Sequence, residues 1–239
     1  MKGEAKGYLV AWAYLEEGFQ SELRRWHNCE HMTERVTIPG FHVGRRFQGI
    51  EGAPDWLMTY ETDHSKVLSS KKYLHAVNNP TPWTLESITH LKRGGRAIYS
   101  LIATVGKKPP TESPYLFVLR FNIEPRNERE VLQWFKKDHL KNMLKLPGVD
   151  RARIYEVDED VSNISTQERR IHGGGPGEQK YLARYELSTL DLPKSQAWEK
   201  AMKKDRHSEQ MLNQLRNVQR ESYWLDFTMY APRGKKTAG

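Results

Sequence analysis

Six residues of one stretch recur later in the chain, in order and without a gap. Trp26, Glu30, His31, Pro39, Gly40 and Arg45 align with Trp134, Asp138, His139, Pro147, Gly148 and Arg153. Further on, Tyr60-Glu61 matches Tyr185-Glu186, Tyr73 matches Trp198, and Arg96 with Tyr99 matches Arg220 with Tyr223. By length alone, 239 residues fit one large domain or two ordinary ones. The repeat selects the second: two similar units, each of about 100 residues.

Each copy carries the same series of patterns. In the first, Gly7–Leu15 is aromatic and branched and reads as a strand. Gly18–Val36 is an amphipathic helix stopped by Pro39-Gly40. Phe41–Gln48 and Trp56–Glu61 are strands, and Ser65–Val77 is a helix. Asn79-Pro-Thr-Pro-Trp83 breaks that helix before a further helical turn, and Arg96–Val105 is a closing strand. In the second copy the strands are Tyr115–Phe121, Val149–Val157, Lys180–Leu187 and Arg220–Tyr230, with helices at Asn127–Leu146 and Lys194–Asn217. The expected division is a first unit over 1–105, a Pro-rich linker over 106–114, a second unit over 115–231 and a basic tail over 232–239. The second unit has a loop insertion, 158–178, which ends in Gly-Gly-Gly-Pro-Gly and reads as a mobile surface loop. That run lacks the lysine and helix of a phosphate-binding loop.

A βαββαβ unit of this size is the ferredoxin-like arrangement, an antiparallel sheet with two helices on one face. The bare face, carrying Tyr8, Val10 and Trp12, needs a cover, and the sheet of the other unit supplies it. The expected class is therefore α+β, two tandem ferredoxin-like units packed sheet to sheet. The residues W-x3-EH-x3-R-x3-PGF-x3-RRF, from Trp26 to Phe47, are followed by P-x-W-L-x-x-Y-E and by N-P-T-P-W. Together they resemble the dimeric α+β barrel superfamily, in its EthD-like or uncharacterised bacterial branches. The resemblance covers most of Gly7–Val105 and, more loosely, Tyr115–Tyr230. It implies a fused barrel whose chains can pair further as a homodimer. The superfamily includes muconolactone isomerases, cofactor-free monooxygenases, polyketide cyclases, haem-degrading enzymes and chlorite dismutases, so the fold does not select a chemistry.

The net charge of +8 is spread along the chain, with one terminal run at Arg233-Gly-Lys-Lys236. No zinc-finger, RNA-binding-sheet or helix-turn-helix signature accompanies it, so no nucleic-acid partner is expected. The N-terminal apolar run is broken by Glu16 and Glu17 and is too short for a membrane span. The single cysteine, Cys29, excludes an intrachain disulfide and fits a reducing compartment, so a cytoplasmic location is expected.

His27, Glu30, His31 and Glu34 sit at i, i+3, i+4 and i+7, one face of an α-helix. The resemblance places that helix beside the pocket. An imidazole near neutrality moves protons, and a neighbouring carboxylate fixes its tautomer. His31 oriented by Glu30 or Glu34 is the expected proton-transfer residue. Arg45 and Arg46 alternate across a strand, so one faces the pocket and can hold an oxyanion. Tyr60, His75, Trp83, Trp56 and Tyr73 are the expected substrate-binding residues, and Asp138, His139 and Arg153 are the second-half counterparts of Glu30, His31 and Arg45. In the second half Phe135 replaces His27, Asn142 replaces Glu34, Met143 replaces Arg35 and Ile154 replaces Arg46, which places the reactive site in the first half.

Three other chemistries are weighed. His27-x-x-Glu30-His31 spells an inverted zinc-peptidase motif, but five letters match easily and the second half lacks the first histidine. Haem ligation through His31, His75 or His139 is the cofactor alternative implied by the resemblance. Cys29 on an amphipathic helix reads as packing rather than as a nucleophile. The leading expectation is a cofactor-independent enzyme acting by His-mediated proton transfer on a small aromatic or carbonyl-bearing compound, of isomerase, cyclase, lyase or oxygenase type. The rival class is a non-catalytic ligand-binding or stress-response barrel.

Overall fold

The computed structural model describes residues 3–232; the basic run Arg233–Lys236 lies outside them. Four strands of the first half, β1 (Gly7–Leu15), β2 (Phe41–Ile50), β3 (Trp56–Thr62) and β4 (Leu91–Val105), form a sheet in the order β4-β1-β3-β2. In the second half, β5 (Tyr115–Ile123), β6 (Val149–Val157), β7 (Tyr181–Leu187) and β8 (Leu215–Tyr230) stand in the order β8-β5-β7-β6. Both are the antiparallel ferredoxin-like order. Their edges join, β2 to β8 and β6 to β4, and the eight strands close into one barrel. Exchanging the two halves leaves the ring order unchanged.

Closure explains the two long strands. Residues 91–100 of β4 pair with β1, and the strand then continues to pair with β6 from Tyr99 to Val105. Residues 215–224 of β8 pair with β5, and Ser222 to Tyr230 pair with β2. Leu215–Asn217, expected to be helical, belongs to the strand, where Leu215 and Arg216 pair with Ile123 and Asn122 of β5.

The helices lie outside the barrel. The first is interrupted: α1 (Gln20–Trp26) passes through a π-turn at His27–His31 into α2 (Met32–Val36). The second half repeats this, with α5 (Glu128–Trp134), a π-turn at Phe135–His139, and α6 (Leu140–Met143). Each helix ends at a Pro-Gly turn in which the glycine takes positive φ, +93° at Gly40 and +98° at Gly148. A Cβ on Gly40 would stand 2.7 Å from Val67 Cγ2, so glycine is required for both reasons. The expected Ser65–Val77 helix is a 3-10 turn (Ser65–Ser69) followed by α3 (Lys71–Asn78), restarted by a Ser70 cap that accepts from the Tyr73 N–H. Thr81 caps α4 (Pro82–Thr89) in the same way. In the second half the equivalents are α9 (Gln196–Met202) and α10 (Arg206–Leu212).

The 158–178 insertion is not an open surface loop. It contains α7 (Glu159–Ser162) and α8 (Gln167–His172), and its Val161 is buried in the helix–sheet core of the first half. No helix among the described residues is long and apolar enough to cross a membrane.

Strand alternation sorts side chains between the two sides of the barrel wall. Tyr8, Val10, Phe47, Leu57, Tyr99, Tyr155 and Tyr223 fill the interior. The interior also holds ion pairs. Arg153 reaches Glu61 at 2.6 Å and Glu186 at 2.7 Å; Arg45 reaches Glu61 at 3.0 Å, and Arg151 reaches Glu186 at 2.8 Å. Burial alone would raise the Glu61 carboxyl, but Arg153, Arg45 and Arg184 hold it well below the usual range.

Glu61→Gln keeps the shape and removes the charge that three buried guanidinium groups share. Breaking a buried pair from one side costs about 3–5 kcal/mol. Urea unfolding should show a loss of that order with an unchanged slope, and a loss within error of zero would mean that the cluster contributes nothing.

Candidate functional site

A cavity of about 70 Å³ lies between the outer face of the first-half sheet and its helices. Its floor is the helix-facing set of strand residues: Leu9 and Ala11 of β1, Met58 and Tyr60 of β3, and Arg96 of β4. Trp26, His31 and Arg35 descend from the interrupted helix, with Tyr73 and Val77 of α3 beside them. The roof is the second-half insertion, through Thr166, Glu168, Arg169, His172 and Gly174.

The π-turn determines which histidine does what. His27 is fully buried; its Nδ1 lies 3.2 Å from Arg46 Nη1 and its Nε2 lies 3.2 Å from Tyr60 Oη. A guanidinium only donates, so Nδ1 is the acceptor and Nε2 carries the proton. That proton is donated to the Tyr60 oxygen, which leaves the Tyr60 hydrogen free for the cavity. Arg46 is fixed in turn by Asp226 at 2.6 Å and by Asn28 Oδ1 at 2.8 Å. Burial keeps Tyr60 in its phenol form by raising its pKa.

His31 is partly exposed, with its ring 4.6 Å from Trp26 and 5.6 Å from His27. Its Nδ1 is buried and without a hydrogen-bond partner among the described residues. Burial, followed by the charge of Arg35 and the neighbouring His27, lowers its pKa well below the ordinary value, so it is a neutral imidazole. Two arginines line the same space. Arg35, buried, is paired with Glu34 and with Glu168 of the roof. Arg96 donates to Tyr73 Oη at 2.8 Å and has no carboxylate partner among the described residues. His172 presents a buried Nε2, also unpartnered.

The roof is fastened at several points. The Gln167 N–H donates to Asn78 Oδ1 at 2.9 Å, and the Arg96 N–H donates to the Gly175 carbonyl at 3.0 Å. Gly174 passes so close to β4 that a Cβ there would stand 2.3 Å from the Gly94 carbonyl oxygen.

Of the residues expected to form the site, His31, Tyr60 and Tyr73 line the cavity and His27 stands directly behind it. The others are placed elsewhere. The Glu30 carboxylate accepts from Thr81 and Thr84 at 2.5 and 2.9 Å, tying the helix to α4, and Glu34 is taken by Arg35; neither orients His31. The π-turn is the reason, because it breaks the i, i+3, i+4 register on which the shared face was inferred. Arg45 points into the barrel, bound to Glu61 and to Glu112, and Arg46 is spent on His27 and Asp226. Trp56 is sandwiched under Arg24 and Arg46, and Trp83 donates to Glu22 on the outer side of the helix. His75 is exposed and bonded to Asn79. In the second half Asp138 is exposed, His139 is buried against Tyr185 Oη at 2.8 Å, and Arg153 lies inside the barrel.

Arg96, Glu168 and His172 are the functional candidates that sequence patterns did not single out, whereas Arg35 was marked by its replacement with Met143 in the second half. Arg96 had one signal, its recurrence as Arg220. Zinc ligation by the H-x-x-E-H spelling fails because both His27 nitrogens are engaged, and no metal-holding cluster occurs among the described residues. As it stands the cavity, about 70 Å³, is smaller than the roughly 300–1,000 Å³ of pockets for drug-sized ligands, and in this closed form it does not hold haem.

No family profile matches the chain, and no curated protein matches it in sequence. Solved structures match the fold along almost the whole length. An anthrone oxidase-like protein aligns with a TM-score of 0.65 at 10% identity, covering 97% of this chain and 95% of its own. A candidate monooxygenase from Lactobacillus acidophilus NCFM aligns at 0.58 and 8% identity, covering 95% and 97%. A mutant chlorite dismutase from Candidatus Nitrospira defluvii, in complex with cyanide, aligns at 0.56 and 11% identity, covering 94% and 92%. These are proteins of the dimeric α+β barrel fold, and this chain shares that fold.

The buried histidines predict a pH response. Burial lowers His139 from 6.5 to about 3 and also depresses His27 and His31. A depressed folded-state pKa contributes stability that is complete above the unfolded value, about 6.5, and is lost as pH falls below it. The thermal midpoint should therefore drop progressively from pH 7 towards pH 4. Imidazole ¹⁵N spectra at pH 6 should show His27 as the neutral Nε2–H tautomer; imidazolium shifts at that pH would contradict the Arg46–His27–Tyr60 geometry.

Proposed function

We propose that the chain is a cofactor-independent enzyme whose active site is the roofed cavity of the first half, and that it removes a proton next to a carbonyl or phenol. One observation carries this reading: a neutral histidine, His31, has an unpartnered buried nitrogen in an apolar cavity that also holds hydrogen-bond donors. His31 is the base. The Tyr60 hydroxyl, freed by His27, and the unpaired charge of Arg96 stabilise the oxyanion formed as the proton leaves. Isomerisation, ring cyclisation, C–C lysis and cofactor-free oxygenation share that first step. The name of the anthrone oxidase-like neighbour belongs to the last of these.

The substrate is small and mostly apolar. A cavity of about 70 Å³ is less than half of the ~150 Å³ that holds benzene in an engineered apolar core. An aromatic ring is therefore admitted by outward movement of α8, a helix of six residues none of which is buried. The expected setting is a soluble cytoplasmic protein that pairs as a homodimer.

The test uses enolisable aryl ketones and β-dicarbonyl compounds in D₂O, with α-proton exchange followed by NMR. The protein should accelerate exchange of at least one probe. His31→Ala should lower that rate by about 10²–10⁴-fold while circular dichroism and melting stay near the parent. Saturable binding of the probes without any exchange above buffer would favour the non-catalytic barrel, and an unchanged rate in His31→Ala would remove the histidine from the mechanism.

A further inference from the structure

The barrel interior holds a cluster of charged and polar side chains that the roofed cavity does not use. Arg153 and Arg184 are each 1% exposed and pair across β6 and β7. With Arg45 and Arg151 they make four buried guanidinium groups, against the carboxylates of Glu61, Glu186 and Glu112. One positive charge is left over. The hydrogen bonding is unbalanced in the same sense: Arg153 Nε and Arg184 Nε are buried donors without a partner among the described residues. Arg184 Nη1 stands 3.2 Å from Glu61 but off the hydrogen-bond direction, and it too is unpartnered. Tyr8 and Tyr155, stacked at 4.9 Å, have buried hydroxyls with no partner, as does Thr59 of β3. Arg184 lies over the Tyr8 ring at 4.7 Å and Arg153 over that of Tyr155 at 5.9 Å.

We infer that this cluster binds a small monovalent anion, a halide or a small carboxylate, on Arg153, Arg184, Tyr8 and Tyr155. Guanidinium N–H groups only donate and a phenol can donate, so a group that accepts from several directions satisfies them together. It also cancels the surplus charge, which a low-dielectric interior makes costly. Neutral water meets the first need and not the second. A cavity of about 820 Å³, lined by Lys108, Arg151, Arg153 and Glu61, reaches one of the two arginines.

Thermal unfolding of the whole protein at constant ionic strength tests this, with gluconate, too bulky for a site among these side chains, exchanged stepwise for chloride, bromide or formate. The expected result is a saturable rise in midpoint with the small anions, and the order of the three distinguishes a halide site from a carboxylate site. Tyr155→Phe and Tyr8→Phe, which keep the rings, should each weaken the half-saturating concentration by about three- to tenfold. A bromide soak should give an anomalous peak between the two arginines and the tyrosine pair. Midpoints that follow ionic strength regardless of the anion, or a site filled by water without anomalous signal, would overturn the assignment. These readouts do not involve His31 or the roofed cavity, so they stand apart from the proposed reaction.

Discussion

Everything in this chain follows from the joining of two sheets at both edges. A four-stranded ferredoxin-like sheet has one face covered by its helices, one bare face, and two unpaired edges that invite association. The β2–β8 and β4–β6 seams remove all four edges, and the bare faces become the inside of a barrel. Closure also decides the fate of the charged strand residues. Arg45 and Arg153 occupy equivalent strand positions, as do Glu61 and Glu186, and each arginine pairs with the glutamate of its own half. In the closed ring Arg153 bridges both glutamates and so links the two halves through buried charge. The roofed cavity lies on the helix side of the wall.

The halves use the same scaffold for different ends. In the second half His139 takes the hydroxyl of Tyr185, Phe135 and Trp198 pack around them, and nothing is left over on that ring but one unpartnered nitrogen. In the first half the tyrosine at the equivalent place, Tyr60, is held by His27, the residue that Phe135 replaces. That substitution releases His31 from its structural bond. The additional histidine acts by taking over a scaffold role so that the shared one becomes available, which is why the shared position, rather than the unshared one, faces the cavity.

The sequence was legible wherever the cause was local. Alternation in β1, β2 and β3, the Pro-Gly stops and the paired motifs gave the strand order of each half and the need for a cover over Tyr8, Val10 and Trp12. Three things were not legible. The π-turn leaves no compositional mark, so the helix face read from His27, Glu30, His31 and Glu34 had the wrong register. Alternation put Arg45 and Arg46 on opposite faces without saying which met the helices; Arg46 does, but it is bound to His27, Asn28 and Asp226 and does not line the cavity. The insertion looked like a solvated loop because its glycines and charges are polar by composition; Glu168 and His172 acquire meaning only once 158–178 is packed over the other half.

That packing sets the chemistry the cavity can host. Arg35 is buried on the wall, and its two carboxylates come from different places: Glu34, its neighbour in the chain, and Glu168, on the roof. In the proposed outward movement of α8, Glu168 leaves with it and Arg35 keeps only Glu34. Arg96, on the opposite wall, has no carboxylate to begin with. The opened site is thus electropositive, and the closed site regains balance only as Glu168 returns. A ligand carrying a carboxylate, phenolate or incipient enolate is favoured at the moment of opening, whereas a neutral apolar one gains nothing from the arginines. In the proposed reaction, proton removal by His31 places such an anion beside Arg96, the wall arginine that has no carboxylate partner among the described residues.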